Sequence, residues 1–228
     1  IMFSSVLPEL YKMSKKVIFN CDQRLIPLFK RSFPEDIILI SNTNEIKEDD
    51  FNFHISIGSL WSFFRKDLKS FELSSPGFLK ANINKIKFFK DQLKINHNDA
   101  KLIGISWKTK SINQMAKFRN IDLNLLASTL KNQKFKLINL QYGDVNKEIE
   151  NIEKLISKKI IKFSNLDYKE NLDDLAALMS VCDTIITIDN AIVHLSGSLG
   201  LKTKLLLPFA ADARWGINDE YSYIYNSV

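Results

Sequence analysis

Apolar and polar positions divide the chain into short hydrophobic runs separated by amphipathic stretches. Five runs at 102–107, 136–140, 160–163, 184–188 and 204–207 are rich in Ile and Leu and predict strands. The stretches between them predict helices that begin near Asp122, Asn146, Leu172 and Asn190. Strand and helix alternating in this way imply right-handed crossovers and a parallel sheet, an α/β architecture. The run DTIITI at 183–188 is β-branched and apolar on both faces, as expected of a central strand covered by helices. Before it, the pattern predicts a helix over 2–13, a strand over 17–21, a helix over 24–32 and a strand over 37–40. A further strand over 53–57, a short aromatic helix through Phe64 and a helix over 82–93 follow. The turn formers Ser74, Ser75, Pro76 and Gly77 mark a boundary. It separates residues 1–78, the remainder of an amino-terminal parallel-sheet domain, from a second domain over 79–228.

Composition narrows the class. Of 228 residues, 45% are hydrophobic and 25% charged, which suits a globular protein, and no apolar run is long enough to span a bilayer. With no signal-peptide layout, a cytoplasmic protein is expected, at the inner face of the membrane if its partner is lipid-linked. The net charge of +6 comes from scattered lysines without an interleaved aromatic platform, so no nucleic-acid partner is predicted. Cys21 and Cys182 have neither CxxC nor zinc-ligand spacing and read as buried thiols in a reducing compartment, and no metal site is predicted. The chain opens on Ile1 and closes in YSYIY at 221–225 without a clear helix, the pattern of a fragment.

Candidate chemistry collects just after the strands of the second domain. Lys108 and Thr109 follow the first, Gln141, Tyr142, Gly143 and Asp144 the second, Asp189 and Asn190 the fourth, and Pro208 the fifth. All fall on the carboxyl edge of the sheet, where open α/β folds bind ligands. Asp189 stops its strand and reads as the cap of the next helix, whose first free amides belong to Asn190, Ala191 and Ile192. Asn190 and His194 lie one turn apart on one face, while Ile192, Leu195 and Leu199 point to the core. This is an anion site in outline. There is neither GxGxxG nor GxxxxGK[ST], so phosphates must be held without a dinucleotide fingerprint or a P-loop. Plainer roles stand beside these. Asp189 could serve only as a cap, and His194 as a half-buried core histidine. Lys108, Lys110, Lys117 and Arg119 could form a solvated loop, and Asp212 and Arg214 a surface pair. Trp107 and Trp215 read as packing, and His54 and His97 join no constellation.

The succession IGISWKTKS, FRNIDLNLLASTL, LINLQYGD and NLDDLAALMSVCDTIITIDNAIVHLSGSLGLKTKLLLPFAADARWG resembles the carboxyl-terminal half of bacterial glycosyltransferase family 9. It is most similar to members often fused to tetratricopeptide repeats, with the lipopolysaccharide heptosyltransferases more distant. The likeness extends less distinctly into the amino-terminal region through CDQRLIPLFKRSFP and FHISIGSL. It implies a GT-B-like architecture of two Rossmann-like parallel-sheet domains, the amino-terminal one incomplete here. It also implies inverting, metal-independent transfer of a sugar from a nucleotide-diphosphate donor, without a cofactor, to a glycan or lipid-linked acceptor. By the same resemblance Asp189, Asn190, Ala191 and His194 match the D[ST]GxxH element that holds the donor pyrophosphate. Arg119 falls where a basic residue reaches those phosphates, and Lys108 where polar donor-site residues follow the first strand. Asn190 and Ala191 stand where the family has Ser or Thr and Gly, which implies weakened donor binding. Asp22, Gln141, Gly143, Asp212 and Arg214 are further candidates along the cleft.

Glycosyl transfer needs positive charge and helix amides at the leaving diphosphate and a base on the acceptor hydroxyl. The first need is met on paper, and for the second only Asp22, after the 17–21 strand, is a substitute. The sequence therefore supports a glycosyltransferase or, alternatively, a non-catalytic nucleotide or nucleotide-sugar binding module attached to a repeat scaffold. Against an unrelated flavodoxin-like or NAD-binding domain stands the missing glycine fingerprint.

Overall fold

The computed structural model describes residues 1–72, 77–94, 100–109, 118–130, 135–216 and 220–228. A 3-10 turn at Met2–Val6 runs into α1 (Leu7–Met13), followed by β1 (Val17–Asn20), α2 (Ile26–Ser32) and β2 (Ile37–Ile40). After these come α3 (Ile57–Phe64), α4 (Lys69–Glu72) and α5 (Ile83–Leu93). The second half is β3 (Lys101–Ser106), α6 (Leu123–Leu130), β4 (Phe135–Asn139), α7 (Asn146–Ile156), β5 (Ile160–Ile161), α8 (Leu172–Met179), β6 (Thr184–Ile188), α9 (Ala191–Ser198) and β7 (Thr203–Leu206).

Strands β1 and β2 form a two-stranded parallel sheet, and the other five form a parallel sheet in the order β5-β4-β3-β6-β7. The order reverses direction between β3 and β6, so the crevice above their carboxyl ends is the switch point of a Rossmann-like sheet. Period-two alternation assigns the two faces. Leu102, Ile138 and Ile185 enter a core with α8 and α9, whereas Ile105 and Leu137 pack against α6 and α7. On α7 the buried residues are Ile149, Ile152 and Ile156, the stripe that helical periodicity demands. In the middle of β3 an added Cβ on Gly104 would lie 2.5 Å from Leu140 Cδ1 and 2.9 Å from Ile185 Cδ1. Only glycine lets those two side chains close over the central strand.

The helices start where their caps dictate. Asn82 Oδ1 accepts from the amides of Asn84 (3.0 Å) and Lys85 (3.3 Å) to open α5, and Asn171 Oδ1 accepts from Asp174 (3.0 Å) to open α8. The strand expected over 53–57 does not form. Phe53 and Ile55 stay exposed, at 93% and 46%, and the chain enters α3 at Ile57. Residues 53–56 join neither sheet: β1 and β2 pair only with each other, and the larger sheet is built from the five later strands. Of the expected boundary, residues 74–76 lie outside the described ones. One buried cluster runs from Leu7, Val17, Leu28 and Phe29 through Leu79 and Phe89 to Leu175 and Ile185, on both sides of position 78. Arg31 and Lys85 both reach the buried carboxylate of Asp173 on α8, the Lys85 contact at 2.7 Å, tying α2 and α5 to the larger sheet. No described helix is long and apolar enough to cross a membrane.

Candidate functional site

At the switch point β6 ends and α9 begins within two residues. Asn190 has extended dihedrals (φ −147°, ψ −172°), and its Oδ1 accepts from the Ile192 amide at 2.9 Å. Its Nδ2 donates to Ser106 Oγ at 2.9 Å, bridging the ends of β6 and β3, and Thr187 Oγ1 donates to its Oδ1 at 3.2 Å. The cap is thus Asn190, not Asp189 as the sequence suggested. The residue directly before the first helical position has the reach to cap, and Asp189 lies one residue too early. Ala191 is exposed, leaving the amino end of α9 open to solvent.

Asp189, freed from capping, is buried among polar partners. Arg119 Nη1 donates to the Asp189 carbonyl oxygen at 3.0 Å and lies 3.4 Å from its Oδ2. His194 Nε2 stands 3.9 Å from Asp189 Oδ1. The His194 ring stacks on Trp215 with centroids 5.4 Å apart and planes at 22°, and its Nδ1 is 3.1 Å from the Tyr225 hydroxyl. Burial first of all, with Arg214 adding to it against the opposing Asp189 carboxylate, lowers the imidazole pKa to about 4. At neutral pH His194 is therefore an uncharged hydrogen-bonding group. Asp212 pairs with Arg214 at 2.7 Å and caps the turn Ala213–Trp215, and the bond from Arg214 holds its carboxyl at about 2. Both members of that pair are within electrostatic reach of His194, so the fold brings Arg119, Asp189, Asn190, Ala191, His194, Asp212 and Arg214 to one edge. Two arginines and two aspartates offset one another there, so an anion would be held by directed N–H groups more than by net charge.

The remaining candidates are used elsewhere. Lys108 Nζ pairs with Glu148 on α7, whose other carboxylate oxygen accepts from Trp107 Nε1 at 2.7 Å. Burial raises the Glu148 pKa, but the bonds from Lys108 and Trp107 outweigh it and leave the group below its ordinary value. Gln141 Oε1 accepts from Ser106 Oγ (3.1 Å), the Trp107 amide (3.0 Å) and the Lys108 amide (3.0 Å), which fixes the chain leaving β3. Together with Gly143, whose φ of 85° needs glycine, Gln141 forms one wall of an open cleft of about 580 Å³ above β4 and β5. Asn165, Lys162 and Tyr168 line the rest of it.

Asp22 is not the free base that the sequence offered. It forms two bonds to the Arg24 guanidinium at 2.6 and 2.9 Å, which hold its pKa at about 2, and Arg24 in turn donates to the Lys169 carbonyl at 3.0 Å. A carboxylate held that low is a poor proton acceptor. Lys110, Lys117 and His97 lie outside the described residues. Among the described residues no cluster of three His, Cys, Asp or Glu side chains is placed to hold a metal ion. Both cysteines are free. Burial pushes the Cys182 thiol up to about 12, so it is inert as a nucleophile. Sequence reasoning missed Tyr225 and Ser106, whose partners lie 31 and 84 residues away.

No protein-family model matches the chain. Protein FlbA of Caulobacter vibrioides is 26% identical along the whole chain, and the chain spans 40% of that relative's length. The solved structure of the Escherichia coli ADP-heptose lps heptosyltransferase II is 14% identical with a TM-score of 0.40, covering 56% of this chain and 38% of that one. The structure of a glycosyltransferase family 9 protein from Veillonella parvula is 13% identical with a TM-score of 0.57, over 91% of this chain and 77% of that one. The chain thus has the Rossmann-like α/β fold of a family 9 glycosyltransferase, with its own candidate site at the switch point of the larger sheet.

Proposed function

We propose that the chain is a glycosyltransferase whose larger sheet, within 79–228, binds a nucleotide-diphosphate sugar. The observation that carries this reading is the convergence of Arg119 and the open amino end of α9 at the carboxyl end of β6. The diphosphate would accept from the amides at the start of α9 that the Asn190 cap does not use and from the guanidinium nitrogens that Asp189 leaves free. Those N–H groups would take up the negative charge that grows on the leaving diphosphate as the sugar departs, and His194 would donate as a neutral imidazole. The base and sugar of the nucleotide would extend into the cleft beside Gly143 and Tyr168. Residues 1–78 would face the acceptor, a glycan or a lipid-linked hydroxyl. Such an enzyme would draw its donor from the cytoplasm, at the inner face of the membrane if the acceptor is lipid-linked.

A specific observation favours a second reading. Asp22 is engaged by Arg24, so the described residues offer no free base after β1, and this chain would bind a nucleotide sugar without transferring it. Calorimetry with a panel of nucleoside diphosphates, followed by transfer assays with the corresponding sugars, tests both. Binding with transfer supports the enzyme, binding without transfer the module, and no binding by any nucleotide overturns both. Arg119→Ala removes a charged hydrogen-bond donor worth roughly 1.5 to 3 kcal/mol, so affinity should fall about tenfold to a hundredfold, with weaker salt dependence.

A further inference from the structure

The geometry points to Tyr225 as a positioning residue for His194: its hydroxyl donates to Nδ1 and holds the imidazole in the tautomer whose proton sits on Nε2. This rests on the reading of the α9 crevice as a diphosphate site, because it decides which atom His194 can offer there. The two groups are 3.1 Å apart, and either could be the donor if nothing else acted on the ring. The other nitrogen shows which of the two donates, although at 3.9 Å its contact is too long to hold the tautomer by itself. Nε2 lies 3.9 Å from the buried Asp189 carboxylate, so a bare lone pair there would face negative charge, whereas an N–H would face it favourably. With the proton on Nε2, Nδ1 is an acceptor, and the hydroxyl of Tyr225 is the group that fills it.

The packing around the ring gives it little freedom to turn. Trp215 stacks on one side of the imidazole. Tyr225 is 3% exposed and lies against the back of α9 at Gly197, where an added Cβ would come within 2.4 Å of the phenol ring. The end of the chain is itself fastened, since the Thr203 amide donates to Ser227 at 2.9 Å and the Val228 amide to Tyr225 at 3.1 Å. The charged side chains that face His194 are Asp189, Asp212 and Arg214. Tyr225 is thus held by one set of contacts and presents its hydroxyl to Nδ1 through another.

The test is long-range proton–nitrogen correlation on the free chain labelled at histidine, with His194→Gln identifying the signals of His194 among the three histidines. At pH 7 the parent should show a protonated Nε2 and a bare Nδ1. Tyr225→Phe keeps the ring against Gly197 and removes only the hydroxyl, so both nitrogens should move toward averaged positions. Affinity for a nucleoside diphosphate should drop about twofold to tenfold, the loss of one neutral hydrogen bond. A proton on Nδ1 in the parent, or an unchanged tautomer in Tyr225→Phe, overturns the proposal. The parent spectrum alone decides it should the variant fail to fold. Absence of diphosphate binding with the expected tautomer would sink the site reading and leave the Tyr225 contact standing.

Discussion

Replacing Gly197 by Ala puts two opposed effects on one atom. In the last turn of α9, where Gly197 lies, alanine gains at most about 1 kcal/mol over glycine from helix propensity. Against that, the new Cβ would stand 2.4 Å from Tyr225 Cγ and 2.7 Å from both Cδ atoms, well inside van der Waals contact. Tyr225 cannot simply retreat, because Trp215 and His194 lie beyond it and its backbone carbonyl is bonded to Val228. Overpacking of this severity costs about 3 kcal/mol, the upper end of the usual range. The net expectation is a loss of about 2 kcal/mol, or a fall in Tm of about 4 to 8 °C for a chain of this size. Urea unfolding followed by circular dichroism measures it, with the fluorescence of the three tryptophans, Trp215 among them, as a second probe. Stability equal to or above the parent would refute the claim that the end of the chain is seated on α9.

Two further outcomes follow from buried ionisable groups. His194 titrates near 4 when folded and near 6.5 when unfolded, so the unfolded chain binds more protons between those values and stability falls as pH drops through that window, by about 3 kcal/mol in all. His194→Gln should flatten that stretch of the pH–stability curve, and an unchanged slope would assign the titration to another group. Asp173→Ala removes the carboxylate that Arg31 and Lys85 share; because both cations are partly exposed, the loss should be about 1 to 3 kcal/mol rather than the full value of a buried pair. Burial raises the Asp173 pKa but the bonds from Lys85 and Arg31 outweigh it and leave it lowered, so its contribution is present above the ordinary carboxylate range and disappears as pH falls through the folded value. Chemical denaturation at pH 7 and at pH 3 should show the parent and Asp173→Ala converging at the lower pH; a constant difference would contradict this account.

The strands of the larger sheet were legible in the sequence to within one or two residues at each end, because a parallel strand covered on both faces must be a continuous apolar run. The run 184–188 became β6 as expected, and the helix starts followed from residues whose short side chains cap locally, as at Asn82 and Asn171. The expectation of a candidate site on the carboxyl edge also came from local order alone, since polar residues stood just after the strands. What the local pattern could not decide was which partner each polar group would take. The cap fell to Asn190 rather than Asp189, and the Asn190 side chain is held in place by Ser106 at the end of the neighbouring strand. Lys108 went to Glu148, 40 residues further on, a choice made by side-chain reach in three dimensions, whereas Asp22 was taken by Arg24 only two residues away. The run at 53–57 had the composition of a strand but joins neither sheet, an outcome set by pairing between distant segments. His194 drew its neutrality from Trp215 and Tyr225, far along the chain, because desolvation comes from whatever the fold packs around a group. Periodicity encodes which faces are buried, and that is enough to specify elements and order. Charge state, tautomer and hydrogen-bond partner depend on distances between segments, which only the folded chain sets.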